Sequence, residues 1–319
     1  MNIFRNKVLF AAIAVTLCMS AGHHSRAADA APETNRFAAT IAPAERFEVN
    51  GVLVERHGKE GKSGRPLILI PGLASGSWVW QDTIRAFSPD HAVYVLTLPG
   101  FDGRPPAGPA PFAAARTAVE ELIASRRLDK PVIVGHSLGG ILALAIAEDK
   151  PALVGGIVSI DGLPVMPGTE DMPPPARAQF AERMRAQVGN QPADRFAQQQ
   201  QGYMRTIGVM DMSKADALAQ LTARSDPASV GTWAADVVTV DLRPGLKSIQ
   251  APVLAIVPYL DLDSSQQGLT PAAKADYYRA LMEGTPKLQV VTVAPSRHFA
   301  MFDQPQAVIA AIRTFLGTL

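Results

Sequence analysis

A strand–turn–helix signal at residues 132–140 constrains the fold of this chain more than any other feature. Val132-Ile133-Val134 is a run of β-branched residues typical of a buried strand, and Gly-His-Ser-Leu-Gly follows it at positions 135–139. The apolar residues 141–147 then predict a helix. A turn this tight strains the backbone at Ser137, and the flanking glycines leave room for it. We therefore expect the Ser137 hydroxyl to lie at a helix N-terminus, where backbone N–H groups favour an anion.

Further buried strands alternate with helices on both sides of this motif. Apolar runs predict strands at 66–70, 92–96, 132–134, 154–160, 253–257 and 288–293. Helical spacing predicts helices at 78–87, 112–128, 138–149, 272–282 and 305–316. The alternation predicts an α/β fold with a mostly parallel central sheet flanked by helices. Near the start, two strand-like runs flank Asn50-Gly51, which is a strong hairpin signal because both residues tolerate positive φ.

The N-terminal residues 1–30 are predicted to be a secretory signal peptide. Arg5 and Lys7 form a basic segment before an apolar run at residues 8–19, which is too short to span a bilayer. Small residues suited to a cleavage site follow this run. The pattern predicts a periplasmic or secreted protein, with no integral membrane segment after the signal is cleaved.

The rest of the chain divides into a core and an insertion. Residues 31–162 and 249–319 carry the α/β pattern, and the Ala- and Pro-rich residues 31–43 are expected to be a disordered leader. Residues 163–248 contain a proline run, four consecutive glutamines and several methionines, but no convincing buried strand. This segment is predicted to form about four helices, as a helical cap inserted between two core strands.

Composition and short motifs exclude several classes of function. The 319 residues are 47% hydrophobic and carry a formal net charge of +1, which suits a globular protein with a sizeable core. No basic cluster stands out, so nucleic-acid binding has no electrostatic support. The sequence has no H-E-x-x-H, C-x-x-C or P-loop motif, so we predict no metal site and no cofactor.

Around the serine motif, the chain resembles the α/β-hydrolase superfamily, and within it serine carboxylesterases with an inserted helical cap. The resemblance covers about residues 45–160 and 250–319, and Ser137 matches the nucleophile of the family. The His298-Phe299 segment before the last predicted helix looks like the segment that carries the family's base, so the resemblance implies that His298 is that base.

The resemblance also implies a carboxylate that fixes the imidazole tautomer, in the chain order serine, acid, histidine. Many relatives have a glycine three residues before the acid. Aligning Pro258 with that glycine selects Asp261. Asp263, two residues further on, and Asp161, after an earlier strand where some relatives carry the acid, are the alternatives.

An oxyanion hole is implied by the same resemblance, and it needs two backbone N–H donors. One is expected from Leu138, the residue after the nucleophile. The other is expected from Leu73, after Pro71-Gly72, which stands where many relatives have His-Gly.

The sequence thus predicts a serine hydrolase that cleaves carboxylic esters through an acyl-enzyme intermediate. A lactonase, thioesterase, amidase or C–C hydrolase of the same fold remains open, as does a non-catalytic binding protein. Flexible methionines in the cap predict a small-molecule ester substrate with an apolar acyl or aryl part. We expect the cap to shape this pocket without touching the proton chemistry.

Overall fold

The computed structural model describes residues 35–59, 61, 64–265 and 268–319, so the predicted signal at 1–30 lies outside the described residues. The strands are β1 (Glu45–Val49), β2 (Val52–His57), β3 (Leu67–Ile70), β4 (Val93–Thr97), β5 (Val132–His136), β6 (Gly156–Ile160), β7 (Val253–Pro258) and β8 (Leu288–Val293). They form one sheet in the order β1-β2-β4-β3-β5-β6-β7-β8. The six strands from β4 to β8 in this order pair in parallel, which confirms the predicted α/β architecture.

The first two strands form the predicted hairpin at one edge of the sheet. β1 and β2 pair in antiparallel register, and β2 pairs antiparallel with β4. The turn residues Asn50 and Gly51 have φ values of 47° and 81°, a left-handed conformation that Asn and Gly adopt more readily than other residues. The hairpin therefore extends the parallel sheet by two strands, at a distance from the serine motif.

Helices cover both faces of the sheet. The core helices are α1 (Gln81–Phe87), α2 (Pro111–Ser125), α3 (Leu138–Asp149), α8 (Asp261–Ser265), α9 (Pro271–Leu281), α10 (Ala300–Asp303) and α11 (Pro305–Leu316). Alternate residues of β3 join opposite layers: Ile68 and Ile70 pack with α2 and α3, whereas Leu67 and Leu69 pack with α1 and α11. Burial on both faces explains why the parallel strands are continuous apolar runs.

The cap, residues 163–248, lies in the chain between β6 and β7. It contains α4 (Pro174–Gly189), α5 (Ala193–Tyr203), α6 (Met212–Thr222) and α7 (Pro227–Thr239). A short π-helical turn, Met204–Gly208, follows α5 directly. The helices pack in two pairs, α4 with α7 and α5 with α6.

Residues 35–43 differ from the predicted disordered leader. The Asn35 side chain donates a hydrogen bond to the Ala217 carbonyl at 2.6 Å, and the Phe37 ring packs edge-on against Phe302 with centroids 5.5 Å apart. The expectation of disorder was wrong here because it rested on composition, whereas these side chains find partners on the folded cap and core. Among the helices of the described chain, none has the length and apolar character needed to cross a membrane.

Candidate active site

Ser137 lies at the sharp turn between β5 and α3, as the sequence predicts. Its φ and ψ are 52° and −116°, a strained conformation for a residue with a side chain. Its amide donates to the Ile160 carbonyl at 2.9 Å, which ties the turn to the end of β6. A Cβ atom at Gly135 would lie 2.1 Å from the Gly139 carbonyl oxygen, so the turn requires glycine there. The strand, the turn and the neighbouring strand together hold the serine in place.

The two backbone amides predicted to form an oxyanion hole belong to Leu138 and Leu73. Leu138 is the first residue of α3, where helical N–H groups have no partner within the helix. Leu73 follows β3, which pairs with β5 where the strand order of the sheet reverses. Within the described residues, neither amide donates a hydrogen bond to another backbone group. Both residues line the same cavity as Ser137.

His298 is paired with Asp161. The Nδ1 atom of His298 lies 2.5 Å from Oδ2 of Asp161, and each side chain is 16% exposed. The second carboxylate oxygen of Asp161 accepts a hydrogen bond from the Tyr278 hydroxyl. Burial raises the pKa of Asp161, but the charge and hydrogen bond of His298, the charge of Lys274 and the Tyr278 hydroxyl outweigh it and lower this pKa to about 2. The carboxylate is therefore ionised at neutral pH.

The carboxylate that contacts His298 is not Asp261, the one that the sequence favoured. Asp261 is exposed at the start of α8, and its carboxylate accepts a hydrogen bond from the Tyr259 hydroxyl at 3.0 Å. Asp263 pairs instead with Arg297, through contacts of 2.8 and 3.0 Å. Asp161, the alternative from the earlier strand, is the carboxylate that contacts His298.

His136 is a residue whose role at the site the sequence analysis missed. Its side chain is fully buried, with its ring centroid 4.6 Å from that of His298. Its Nε2 atom lies 3.1 Å from the His298 carbonyl oxygen, so a neutral imidazole donates to the backbone of the predicted base. Burial, and to a lesser extent the charge of His298, lower the pKa of His136 to about 3, which keeps this ring neutral. Its position directly before Ser137 was the available signal, because β5 ends at the centre of the sheet.

The cap contacts the histidine loop directly. The backbone amides of His298 and Phe299 donate to the carbonyls of Ile207 and Gly208, at 3.2 and 2.9 Å. Both acceptors belong to the π-helical turn, a geometry often found at functional sites. The Tyr203 ring stands edge-on to the imidazole of His298, with centroids 6.2 Å apart. The cap therefore contacts the backbone of the predicted base, while the expectation that it leaves the proton chemistry unchanged stays a prediction.

Ser137, Asp161 and His298 line one cavity of about 310 Å³. In the part of the chain that the structure describes, the Ser137 hydroxyl makes no hydrogen bond to His298. Such bonds are often long in unliganded enzymes and tighten when substrate is bound. The described residues include no cluster of His, Cys, Asp and Glu side chains that could hold a metal ion.

A sequence profile of the Alpha/beta hydrolase family matches residues 67–311, which span the sheet from β3 onward, the cap and the whole site. The chain belongs to this family. The position of the turn at Ser137, between β5 and α3, fits the α/β-hydrolase pattern.

Several relatives of this α/β hydrolase have named activities. It is 25% identical over 272 residues to a pimeloyl-[acyl-carrier protein] methyl ester esterase of Aeromonas hydrophila, covering 83% of this chain and 99% of that protein. It is also 28% identical over 257 residues to the biotin biosynthesis bifunctional protein BioHC of Cellvibrio japonicus. That match covers 79% of this chain, but the chain spans only 48% of the bifunctional protein.

Solved structures show the same fold. A thermophilic esterase from Thermogutta terrifontis superposes with a TM-score of 0.65 at 22% identity, covering 86% of this chain and 99% of that one. A hydrolase from Pseudomonas aeruginosa gives a TM-score of 0.67 at 20% identity, over 83% of this chain and 94% of the other. At this level of identity the similarity establishes the α/β-hydrolase fold alone.

Proposed function

We propose that this esterase-like α/β hydrolase cleaves carboxylic esters through an acyl-enzyme intermediate, with Ser137 as nucleophile, His298 as base and Asp161 as acid. One observation carries the proposal. A strained strand–helix turn brings Ser137 to the same cavity as a hydrogen-bonded histidine–carboxylate pair. An unassisted serine hydroxyl is a poor nucleophile, and such a pair is what activates it.

The proposed mechanism begins with the hydrogen bond from His298 Nδ1–H to Asp161. This bond fixes the tautomer in which Nε2 is unprotonated and accepts the proton of the Ser137 hydroxyl. The serine oxygen attacks the ester carbonyl, and the amides of Leu73 and Leu138 stabilise the resulting oxyanion. His298 then returns its proton to the leaving alcohol. A water molecule repeats the two steps on the acyl-enzyme and releases the acid.

The environment of Asp161 suits this role. Because its pKa is lowered to about 2, the carboxylate stays charged throughout the neutral range and stabilises the imidazolium that forms at His298. The Tyr278 hydroxyl holds the other oxygen, so the carboxylate has little freedom to rotate away from the imidazole.

The substrate is proposed to be a small-molecule ester with an apolar part. Apolar side chains of the core and the cap line one part of the cavity, among them Ile141, Leu163 and Met166. Relatives named as methyl ester esterases support an ester bond as the target, and make methyl esters the first compounds to assay.

We further propose that residues 1–30 direct export to the periplasm or the medium. The basic segment followed by a short apolar run supports this. N-terminal sequencing of the protein recovered from the periplasm of a Gram-negative host tests it. A mature N-terminus near Ala28 or Ala31 is expected. Recovery of the intact chain from the cytosol would contradict the proposal.

Labelling with a fluorophosphonate, followed by peptide mass spectrometry, tests the proposed mechanism. We expect one adduct, on Ser137, and a loss of about 10³-fold or more in kcat for Ser137→Ala, since only binding and the oxyanion hole remain. Ser264→Ala is the matched control, because Ser264 lines the same cavity. Turnover by Ser137→Ala within tenfold of wild type, or a folded protein that takes no label, would contradict the proposal.

A further inference from the structure

The cavity around Ser137 has two chemically different sides. The apolar side comes from the loops after β3, β5 and β6 and from α3 and α7. Apart from Ser137 and Asp161, its lining residues are apolar, and they include Leu73, Ile141, Leu163, Val165, Met166 and Val237. The other side comes from the loops after β7 and β8 and from α9, and it carries charge; it includes Asp263, Lys274 and Arg297. A substrate that fills both sides needs an apolar part and a polar or charged part.

The two cations on the charged side differ in their partners. The Arg297 guanidinium binds both carboxylate oxygens of Asp263, at 2.8 and 3.0 Å, and also donates to backbone carbonyls of the cap. Its charge is therefore balanced within the protein. Lys274 is half-buried, and its ammonium donates to the Pro258 carbonyl at 2.6 Å. In the described chain no carboxylate lies within salt-bridge distance of Lys274.

Asp161 lies near Lys274 but accepts its hydrogen bonds from other side chains. It is near enough for the charge of Lys274 to lower its pKa, but both of its oxygens are used by His298 and Tyr278. An ammonium has three hydrogen-bond donors, and Pro258 accepts from only one of them. The described residues leave two donors of this half-buried ammonium without an acceptor, and an anion that enters the cavity can accept from them.

We propose that Lys274 binds a carboxylate carried by the ester substrate, on the part of the substrate that lies away from the apolar side. This inference rests on the proposed function, and it names the substrate class: esters with one apolar part and one anionic group. The apolar side fixes one end of the molecule and Lys274 the other, so the ester carbonyl between them is presented to Ser137.

Pairs of esters that differ only in charge test this proposal. On the acyl side, monomethyl glutarate is compared with methyl 4-carbamoylbutanoate. On the alcohol side, carboxymethyl butanoate is compared with its primary amide. Each amide has nearly the shape of its carboxylate partner without the charge. Turnover is followed by NMR for wild type, Lys274→Met and Lys274→Arg, and 4-nitrophenyl acetate serves as the neutral reference ester.

For wild type we expect a preference of about tenfold or more in kcat/KM for the carboxylate in at least one pair, as for a hydrogen bond to a charged group. Lys274→Met is expected to raise KM for that carboxylate about tenfold more than for its amide. Lys274→Arg is expected to restore part of the preference, because it retains the charge.

Three results would overturn the proposal, and they differ from one another. Wild type that hydrolyses the amide as well as the carboxylate in both pairs shows that no anion is recognised. Equal losses for both members in Lys274→Met show that Lys274 acts only through Asp161. Absence of turnover on every ester, together with no fluorophosphonate adduct on Ser137, removes the proposed function itself and this inference with it.

Discussion

The loops that follow β6 and β7 are alike in one respect: each carries an aspartate that accepts a hydrogen bond from a tyrosine hydroxyl. Asp161 is held by Tyr278, and Asp261 by Tyr259. Both loops begin at the carboxyl ends of neighbouring parallel strands. Of the two carboxylates, the one that contacts His298 is Asp161.

The difference comes from how each strand ends. Asp161 is the residue directly after β6, with φ at 51° and its amide bonded to the Ile256 carbonyl at 3.0 Å. The chain therefore turns at Asp161 itself, next to the loop of Ser137. After β7 the chain continues along β8, because the Tyr259 amide donates to Val293 at 2.9 Å, and Asp261 then begins a helix on the exposed surface. The residue at which the chain turns out of the sheet decides which carboxylate reaches the imidazole.

We expect kcat to differ most strongly between the variants Asp161→Asn and Asp261→Asn. Asparagine tolerates the left-handed backbone at position 161, but it removes the negative charge and changes the preferred tautomer of His298. We expect kcat to fall about 10³- to 10⁴-fold for Asp161→Asn and less than about threefold for Asp261→Asn. Steady-state kinetics on a methyl ester measures both. A larger loss of kcat for Asp261→Asn than for Asp161→Asn would show that Asp261 is the acid.

A smaller effect is expected when each tyrosine loses its hydroxyl. Tyr278→Phe removes a hydrogen bond to the ionised Asp161, which is worth about 1.5–3 kcal/mol, so kcat/KM should fall about 10- to 100-fold. Tyr259→Phe is the matched control, because its hydroxyl contacts Asp261, and its kcat/KM should stay within about twofold of wild type. Similar losses of kcat/KM in the two variants would mean that both hydroxyls contribute only to the packing of the loops after β6 and β7.

The smallest effect is expected in the acid stability of the fold. The unfolded chain protonates Asp161 near pH 3.8, whereas the folded protein does so at about 2, so stability is lost as the pH falls through this interval. Asp161→Asn lacks this contribution, and its unfolding free energy should fall less steeply there, by up to about 1.4 kcal/mol per pH unit. His136, with its pKa lowered to about 3, contributes to acid sensitivity in every variant. Urea titrations at several pH values measure the slopes, with Asp261→Asn expected to match wild type.

Local patterns were enough to predict much of the fold and part of the site. The hairpin at Asn50-Gly51 and the turn at Ser137 each depend on a few adjacent residues, and both lie where the sequence predicts. The partner of His298 depends instead on the exit direction of two strands that are about a hundred residues apart. Lys274 has no local signal of its proposed role, because the other residues of the cavity lie on loops and helices distant in sequence. For His136 the only local signal is its position directly before Ser137, since its partner is the His298 carbonyl.

Proton NMR can detect the pairing of His298 with Asp161 in solution. A histidine Nδ1 proton shared with a carboxylate at 2.5 Å should resonate far downfield of the backbone amides. We predict this resonance in wild type and Asp261→Asn, and its loss in Asp161→Asn. A downfield resonance that persists in Asp161→Asn but vanishes in Asp261→Asn would show that His298 pairs with Asp261 instead.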